Sequence, residues 1–180
     1  MSYKNKTYII FDADNDMSHY RLMTAWKENE KIDFDFHNAH DIYSVNKDHI
    51  EKLRKSDKKD KTLKEETYIK SKLKERMKNT KQAIVLVGDS TKDLYKYVRW
   101  EIEVAIGMDI PIIAVNLNKE NEEHAKTPPI LKKKAYFVSV PYEVKKIKYA
   151  LDNFPDFYHK NKAEAPSSLT YPWHEILLSK

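Results

Sequence analysis

Two short, almost entirely apolar segments set the strongest limit on the fold of this chain. Segment 82–87 reads QAIVLV and segment 110–117 reads IPIIAVNL, with a helical pattern over 93–106 between them. Strands that are buried on both faces have this composition, and they occur in parallel sheets that carry helices on both sides. The intervening helix is the crossover that two parallel strands need. The sequence therefore predicts an α/β fold.

Three further segments complete the predicted sheet. TYIIF at 7–11, IDFDF at 32–36 and AYFVSV at 135–140 are rich in strand-forming residues. We expect five parallel strands in the order 2-1-3-4-5, in a flavodoxin-like three-layer sandwich. Such sheets bind ligands in the crevice at the carboxyl ends of the strands where the order reverses, here strands one and three. The turns DADND at 12–16 and GDST at 88–91, with the loop HNAHD, are predicted to line that crevice.

The length of 180 residues fits one compact domain, which we place at 1–153. Its last helix is expected at 142–153. The remaining residues, 154–180, hold three prolines and end in the amphipathic PWHEILLSK. We therefore expect an arm that packs on the domain or on a partner.

Composition excludes several classes of protein. The chain has no cysteine, so it has no disulfide framework, thiol nucleophile or cysteine-ligated zinc. Its apolar runs are far shorter than the ~20 residues of a membrane span. The N-terminus enters a strand-like segment without the apolar stretch of a signal peptide. We expect a cytoplasmic protein without a membrane partner.

The positive charge of the chain is concentrated in one segment. Residues 54–81 hold twelve lysines and arginines and five acidic residues, against a net charge of +5 for the whole chain. Such segments bind nucleic acid in some proteins and form a solvated helix face in others. Acidic residues are interspersed here, and aromatic residues are not interleaved for base stacking. A nucleic-acid partner is therefore not expected.

Glu101 stands out on the predicted helix 93–106. It borders an apolar stripe formed by Leu94, Val98, Ile102 and Ala105. An ionised carboxylate in such a place is costly unless it has a partner or a task. One interpretation is a helix-edge carboxylate that pairs with a lysine. The other is a catalytic carboxylate, because the helix starts near the predicted crevice.

Three aspartates, Asp12, Asp14 and Asp16, follow the first strand. One interpretation is a magnesium site of the receiver type, since hard cations take oxygen ligands. A receiver also needs a phosphate-accepting aspartate, which Asp89 could supply, and a lysine after strand five, which AYFVSVP lacks. The favoured interpretation is that Asp14 or Asp16 caps the first helix, with Asp12 lining the crevice.

Two other constellations do not form a known binding motif. His37, His40 and Asp41 could resemble metal ligands, but their spacing does not bring in a third strong partner. We therefore expect a loop of the crevice and no metal site. Gly88 and Gly107 are the only glycines, which leaves no room for a GxGxxG dinucleotide fingerprint. A dehydrogenase of the Rossmann type is therefore disfavoured.

The chain also resembles a known family over roughly residues 5–150. The resemblance is to the TIR-like family, and especially to the ThsB-type TIR proteins of bacterial Thoeris antiphage defence. Its motifs are FDADND (11–16), FHNAHD (36–41), IKSKLKERMKNTKQAIVLVGDST (69–91), YVRWEIEVAI (97–106) and PIIAVNL (111–117). The helix motif is more specific than any one strand.

The resemblance implies a flavodoxin-like TIR fold and, for the enzymatic members, an NAD nucleosidase or ADP-ribosyl cyclase-like activity. These members break the bond between nicotinamide and ribose with one glutamate, which falls on Glu101. NAD is then the substrate, and no cofactor is needed. The ADP-ribose-derived product activates a separate effector protein, and activity often requires self-association into a dimer or larger oligomer.

The resemblance and the predicted crevice together suggest the substrate contacts. These are Phe11, Asp12, Asp14, Asn38, His40, Asp41, Gly88 and Trp100. Family members often carry a small hydroxyl residue where Asp12 stands. A carboxylate is favourable beside the cationic nicotinamide and unfavourable beside the pyrophosphate. Phe11 and Trp100 either pack against a ring of the substrate or belong to the core.

Two rival functions remain open at this point. One is a non-catalytic TIR-like module that works through assembly. The other is a nucleoside deoxyribosyltransferase-like enzyme, which shares the fold class and uses a carboxylate at ribose C1′.

Overall fold

The computed structural model describes residues 7–36, 61–91, 97–120 and 124–163, with the backbone alone for 61–65. Strands and helices alternate along the chain, as an α/β fold requires. The elements are β1 (Thr7–Ile10), α1 (Met17–Glu28), α2 (Lys61–Met77), β2 (Gln82–Val87), α3 (Tyr97–Gly107), β3 (Ile112–Asn116), α4 (Pro129–Lys134), β4 (Phe137–Pro141) and α5 (Val144–Asn161).

The described strands form one parallel sheet in the order β1-β2-β3-β4. In its register, Thr7 is opposite Gln82 and Ala83 is opposite Ile112. All residues of β1, β2 and β3 are buried. The two apolar segments are therefore the central strands of a parallel sheet, which confirms the predicted α/β class.

Helices cover both faces of this sheet. Alternate residues of β2 point to opposite faces, as in any strand, so Ile84 and Leu86 belong to one core and Ala83 and Val85 to the other. The first core is closed by α1 and α5, and the second by α2, α3 and α4. This layering is consistent with a flavodoxin-like fold.

The predicted strand at 32–36 is not confirmed, and neither is the five-strand order 2-1-3-4-5. The described backbone there has no strand pairing, and the Phe34 amide donates to the Ile32 carbonyl at 2.7 Å in a tight turn. Phe34 and Phe36 are nonetheless buried. The alternating pattern identified which side chains enter the core, but alternation does not specify a backbone partner.

The last helix is longer than predicted, because α5 continues through Pro155 to Asn161. Proline within a helix removes a backbone hydrogen bond, which is why the pattern predicted an end at 153. Phe154 and Tyr158 share the buried face of Ile147, and their burial stabilises the extra turns. The first eight residues of the predicted arm are thus packed helix, while residues 164–180 lie outside the described part. No helix among the described residues has the length and apolar character needed to cross a bilayer.

Candidate functional site

Glu101 lies about one turn into α3, the helix that follows the carboxyl end of β2. Its side chain is only 2 % exposed, and it is surrounded by the apolar core between the sheet and the helices α2 and α3. The hydroxyl of Tyr8, on β1, donates a hydrogen bond of 2.8 Å to Glu101 Oε1. Tyr8 is itself 1 % exposed. The structure therefore gives the buried carboxylate a partner on the first strand.

A second glutamate on the same helix shows the ordinary alternative. Glu103 is paired with Lys70 of α2 and with Arg99, whose Nε lies 2.8 Å from Glu103 Oε1. Partial burial raises the pKa of Glu103, but the hydrogen bonds from Lys70 and Arg99 outweigh burial and lower it. Glu103 is a surface ion-pair residue, so the two glutamates differ in environment although they are two residues apart.

Asp12 lies in the turn two residues after β1, in a buried position, 4 % exposed, where both carboxylate oxygens accept hydrogen bonds. The Asp14 amide donates to Asp12 Oδ1 at 3.0 Å, and the Ser90 hydroxyl donates to Oδ2 at 2.9 Å. The Asn15 side-chain amide also donates to Oδ2. Burial raises the pKa of Asp12, but these donors outweigh it and lower the pKa. The bond from Ser90 links the turns that follow β1 and β2.

Asp16 occupies the N-cap position of α1, yet its side chain makes no capping hydrogen bond. The cap prediction was right about the position and wrong about the bond. Asp16 is 5 % exposed, and its Oδ2 has no hydrogen-bond partner in the described part of the chain. Burial, then the charges of Asp12 and Asp89, raise the pKa of Asp16 to about 6. The carboxyl group is therefore buried beside other acids.

Gly88 lets this carboxyl group approach the end of β2. A Cβ atom at position 88 would lie 2.7 Å from Asp16 Oδ1 and 3.2 Å from Leu117 Cδ1. Any larger residue would collide with Asp16, so the glycine is needed for close packing. The Gly88 amide donates to Thr91 Oγ1 at 2.7 Å, which shapes the turn after β2. Gly88 thus lies at the predicted edge and serves the geometry of the turn.

The two aromatic candidates pack into the protein's own cores. Phe11 stacks on Tyr20 with ring centroids 4.6 Å apart, and Trp100 meets Tyr97 edge-on at 5.5 Å. Both are 5 % exposed, and they belong to the cores on opposite faces of the sheet. These contacts favour the core interpretation for each ring, and the two do not face one ligand ring together.

Of the remaining candidates, one is exposed to solvent and three lie outside the residues that the structure describes. Asp14 is exposed, and its amide serves Asp12. Asn38, His40 and Asp41 lie outside the described residues. Within the described ranges, groups of three or more histidines and acids with metal-binding geometry are absent.

Sequence reasoning missed Tyr8. It assigned Asp12 to the crevice and Asp14 or Asp16 to the cap of the first helix, but it did not predict that Asp16 Oδ2 would lack a donor among the described residues. Tyr8 lies 93 residues from Glu101, and a tyrosine within a strand gives no signal of its distant partner. Which donors reach Asp12 and Asp16 depends on the folded turns and cannot be read from the sequence. The structure places Asp12, Asp16, Gly88 and Ser90 together at the carboxyl edge, with Glu101 and Tyr8 as a second, more deeply buried group.

These features define an α/β domain with carboxylates at and beneath the carboxyl edge of a parallel sheet. The model of the family described as Thoeris protein ThsB, TIR-like domain, matches residues 8–122 of the chain. The chain therefore belongs to this family, which indicates a role in Thoeris defence and confirms the resemblance seen in the sequence. The match spans Tyr8, the acidic turn after β1 and Glu101. No curated protein matches the chain.

Proposed function

We propose that the chain is an NAD-cleaving TIR-like enzyme that makes an ADP-ribose-derived signal for a separate effector in Thoeris defence. The observation that carries this proposal is Glu101, a carboxylate buried in an apolar layer and held by the Tyr8 hydroxyl. It lies within the region that matches the family. In this proposal NAD is the substrate, no cofactor takes part, and the active form is an oligomer.

The proposed chemistry uses one carboxylate. The bond between the nicotinamide nitrogen and ribose C1′ breaks, and its electron pair leaves with nicotinamide, which becomes neutral. The ribose is left with oxocarbenium character, as in other glycosidic cleavages. An ionised Glu101 stabilises that positive charge in surroundings of low dielectric constant. Water then bonds to C1′ through an oxygen lone pair and loses a proton, which Glu101 can accept. An adenine ring nitrogen bonds to C1′ through its own lone pair and has no proton of its own to lose.

Tyr8 has a positioning role in this mechanism. Its hydroxyl donates to one carboxylate oxygen and so helps to set the orientation of Glu101 from β1, a strand of the parallel sheet. A catalytic group held by a strand is kept in place more accurately than one held by solvent. Tyr8 acts through Glu101 and is not itself assigned a contact with substrate.

The same observation also supports a second candidate, the non-catalytic assembly module. A glutamate that is 2 % exposed and bonded to a core tyrosine has the environment of a structural carboxylate. On that account Glu101 stabilises the domain, and the family function is exercised through self-association.

The test is NAD turnover by the purified chain, with products separated by chromatography and identified by mass. The assay is run with and without lysate from phage-infected cells. We expect nicotinamide release that falls by about 10²–10⁴-fold in Glu101→Gln, the loss typical of an acid–base group. Glu103→Gln is the matched control, since it alters a surface ion pair on the same helix. Light scattering checks that both variants keep the oligomeric state.

Each other outcome assigns a different function. Equal release by wild type and Glu101→Gln would show that the carboxylate is structural. No release under any condition, with an unchanged oligomer, favours the assembly module. Cleavage of free nucleosides in place of NAD indicates a deoxyribosyltransferase-like enzyme.

A further inference from the structure

We propose that the acidic edge, defined as Asp12, Asp16 and Asp89, is a subsite for an organic cation. In the proposed reaction this cation is the nicotinamide ring of NAD, so the identity of the ring rests on the proposed function. The binding of a cation does not rest on it. The nicotinamide ring, which is the leaving group, would bind at the acidic edge, and the pyrophosphate would lie away from it.

The first support is the unmet hydrogen-bonding capacity of Asp16. Its carboxyl group is 5 % exposed, and Oδ2 lacks a partner among the described residues. A buried polar atom without a partner costs about 1–3 kcal/mol. The neighbouring Asp12 shows that donors are present in this turn, since it receives bonds from Asn15 and Ser90. Asp16 Oδ2 is thus left without a donor in this part of the chain, although a backbone hydrogen bond at Asp12 reaches the Asp16 carboxyl group, whereas both oxygens of Asp12 accept bonds.

The second support is the accumulation of like charge. Asp12 and Asp89 both act on the Asp16 carboxyl group, and together with burial they raise its pKa. Among the described residues none of the three acids forms an ion pair with a lysine or arginine. Asp89 is exposed, so the edge opens to solvent on that side. A bound cation would relieve the repulsion among the acids.

The geometry favours an organic cation over a metal ion. Magnesium needs near-octahedral oxygen ligands at about 2.0–2.1 Å. Both carboxylate oxygens of Asp12 are already occupied by donors from the protein. In the described residues the acids do not converge as a metal cluster. A ring cation spreads its charge over several atoms and is attracted by the field of the acids without such coordination.

The experiment compares two probes that share a ring and differ in charge. The probes are 1-methylnicotinamide, a cation, and nicotinamide, which is neutral at pH 7.5. Their dissociation constants are measured by NMR titration of the full chain. We expect the cation to bind about tenfold more tightly, and we expect Asp16→Asn to bring the two constants within about twofold, a change of roughly 1 kcal/mol.

One control variant and one weaker test variant accompany Asp16→Asn. Asp152→Asn removes an exposed acid of α5 that pairs with Lys148, far along the chain from the edge, and should keep the preference for the cation. Asp89→Asn removes an exposed member of the acidic edge without disturbing buried packing, and should weaken the preference about two- to threefold, in line with the small effect of an exposed charge.

Three results would overturn the proposal. The first is equal binding, or no binding, of the two probes by wild type. The second is an unchanged preference in Asp16→Asn. The third is binding of Mg²⁺ that depends on Asp16 and is not displaced by 1-methylnicotinamide, which would identify a metal ion as the occupant.

The titrations are repeated with Glu101→Gln. They need no turnover, so their result stands whether or not wild type cleaves NAD. A cation preference without NAD cleavage would retain the subsite and reject the proposed function. NAD cleavage without a cation preference would reject the subsite and retain the proposed function.

Discussion

Acidic side chains at the two edges of the sheet have opposite environments: Asp109 is exposed and paired, whereas Asp16 is buried beside other acids. At the amino edge, before β3, Asp109 accepts a bond of 2.9 Å from the Tyr158 hydroxyl and pairs with Lys162. Burial raises the pKa of Asp109, but these partners outweigh it and lower the pKa. At the carboxyl edge, Asp16 is buried beside Asp12 and its pKa is raised to about 6. The acid at the amino edge is paired with a cation, whereas the acid at the carboxyl edge lies beside other acids.

The difference indicates which edge is structural. The amino edge has a cavity of about 210 Å³, lined by residues that include Lys134, Tyr136 and Lys162. Its acid, Asp109, already has Tyr158 and Lys162 as partners, so this carboxylate is not left unpaired for a ligand. The carboxyl edge stores unfavourable electrostatic energy, which is a mark of functional sites. Glu101 lies between these cases, because it is as buried as Asp16 but has a donor, as Asp109 has.

The largest effect on stability is expected when Glu101 loses the hydrogen bond from Tyr8. Tyr8→Phe removes the donor to Oε1 and leaves the ring in the core. We expect the free energy of unfolding to fall by about 1.5–3 kcal/mol, the range for hydrogen bonds to charged groups. Urea unfolding measures it. The same substitution in a Glu101→Gln background should cost less, and an equal cost in both backgrounds would mean that the bond is energetically unimportant.

Gly88→Ala tests how tightly Asp16 is held against the end of β2. The added methyl group would lie 2.7 Å from Asp16 Oδ1, so we expect a loss of about 1–3 kcal/mol in unfolding free energy, as for other overpacked sites. Gly107→Ala is the matched control, because nothing lies within 4 Å of its added atom. It should be neutral or stabilising. If both substitutions have the same effect, Asp16 does not occupy the space assigned to it.

Asp16→Asn should stabilise the chain at neutral pH. The folded-state pKa of about 6 lies above the ordinary 3.8, so the folded state holds the proton more tightly. The contribution of Asp16 to stability is thus fully present below about pH 4 and is lost as pH rises through 6. With solvent screening allowed for, we expect Asn to add about 1–2 kcal/mol at pH 7.

This gain should shrink as pH falls and approach zero below about pH 3, because only well under the ordinary pKa of 3.8 is Asp16 protonated in both states. Thermal or urea unfolding at several pH values measures the difference between wild type and variant. A variant that is less stable than wild type at pH 7 would show that Asp16 has a stabilising partner and would remove the contrast between the two edges.

The smallest effect is expected at the amino edge. Asp109 has a φ of 58°, a left-handed conformation that asparagine tolerates. Asp109→Asn keeps the backbone and removes the ion pair, so we expect a loss of at most about 1 kcal/mol, as for exposed pairs. The lowered pKa sets the sign: the contribution is present above about pH 4 and is lost as pH falls below it. Stabilisation at pH 7 would contradict this assignment.

Much of the fold could be predicted from local pattern, and its failures have physical causes. The apolar runs identified β2 and β3 because burial on both faces leaves no polar position. In segment 32–36 Phe34 and Phe36 are buried, as the alternating pattern predicted, but the described backbone forms no strand, because a strand needs a hydrogen-bonded neighbour that the local pattern does not specify. The predicted helix ended before Pro155 because proline disfavours helix interiors, whereas the observed helix continues to Asn161 because Phe154 and Tyr158 are buried on its inner face.

The candidate site shows the same division. Sequence alone determined that Glu101 is an acid on an apolar helix face, that acids and a glycine follow the first and third predicted strands, and which family the chain resembles. These are properties of residue order and composition. Only the tertiary structure decided that Tyr8 is the partner of Glu101, that Asp12 is satisfied and that Asp16 is not. Hydrogen bonds and charge repulsion act over a few ångströms between residues far apart in the chain, so their outcome is settled only when folding brings the groups together.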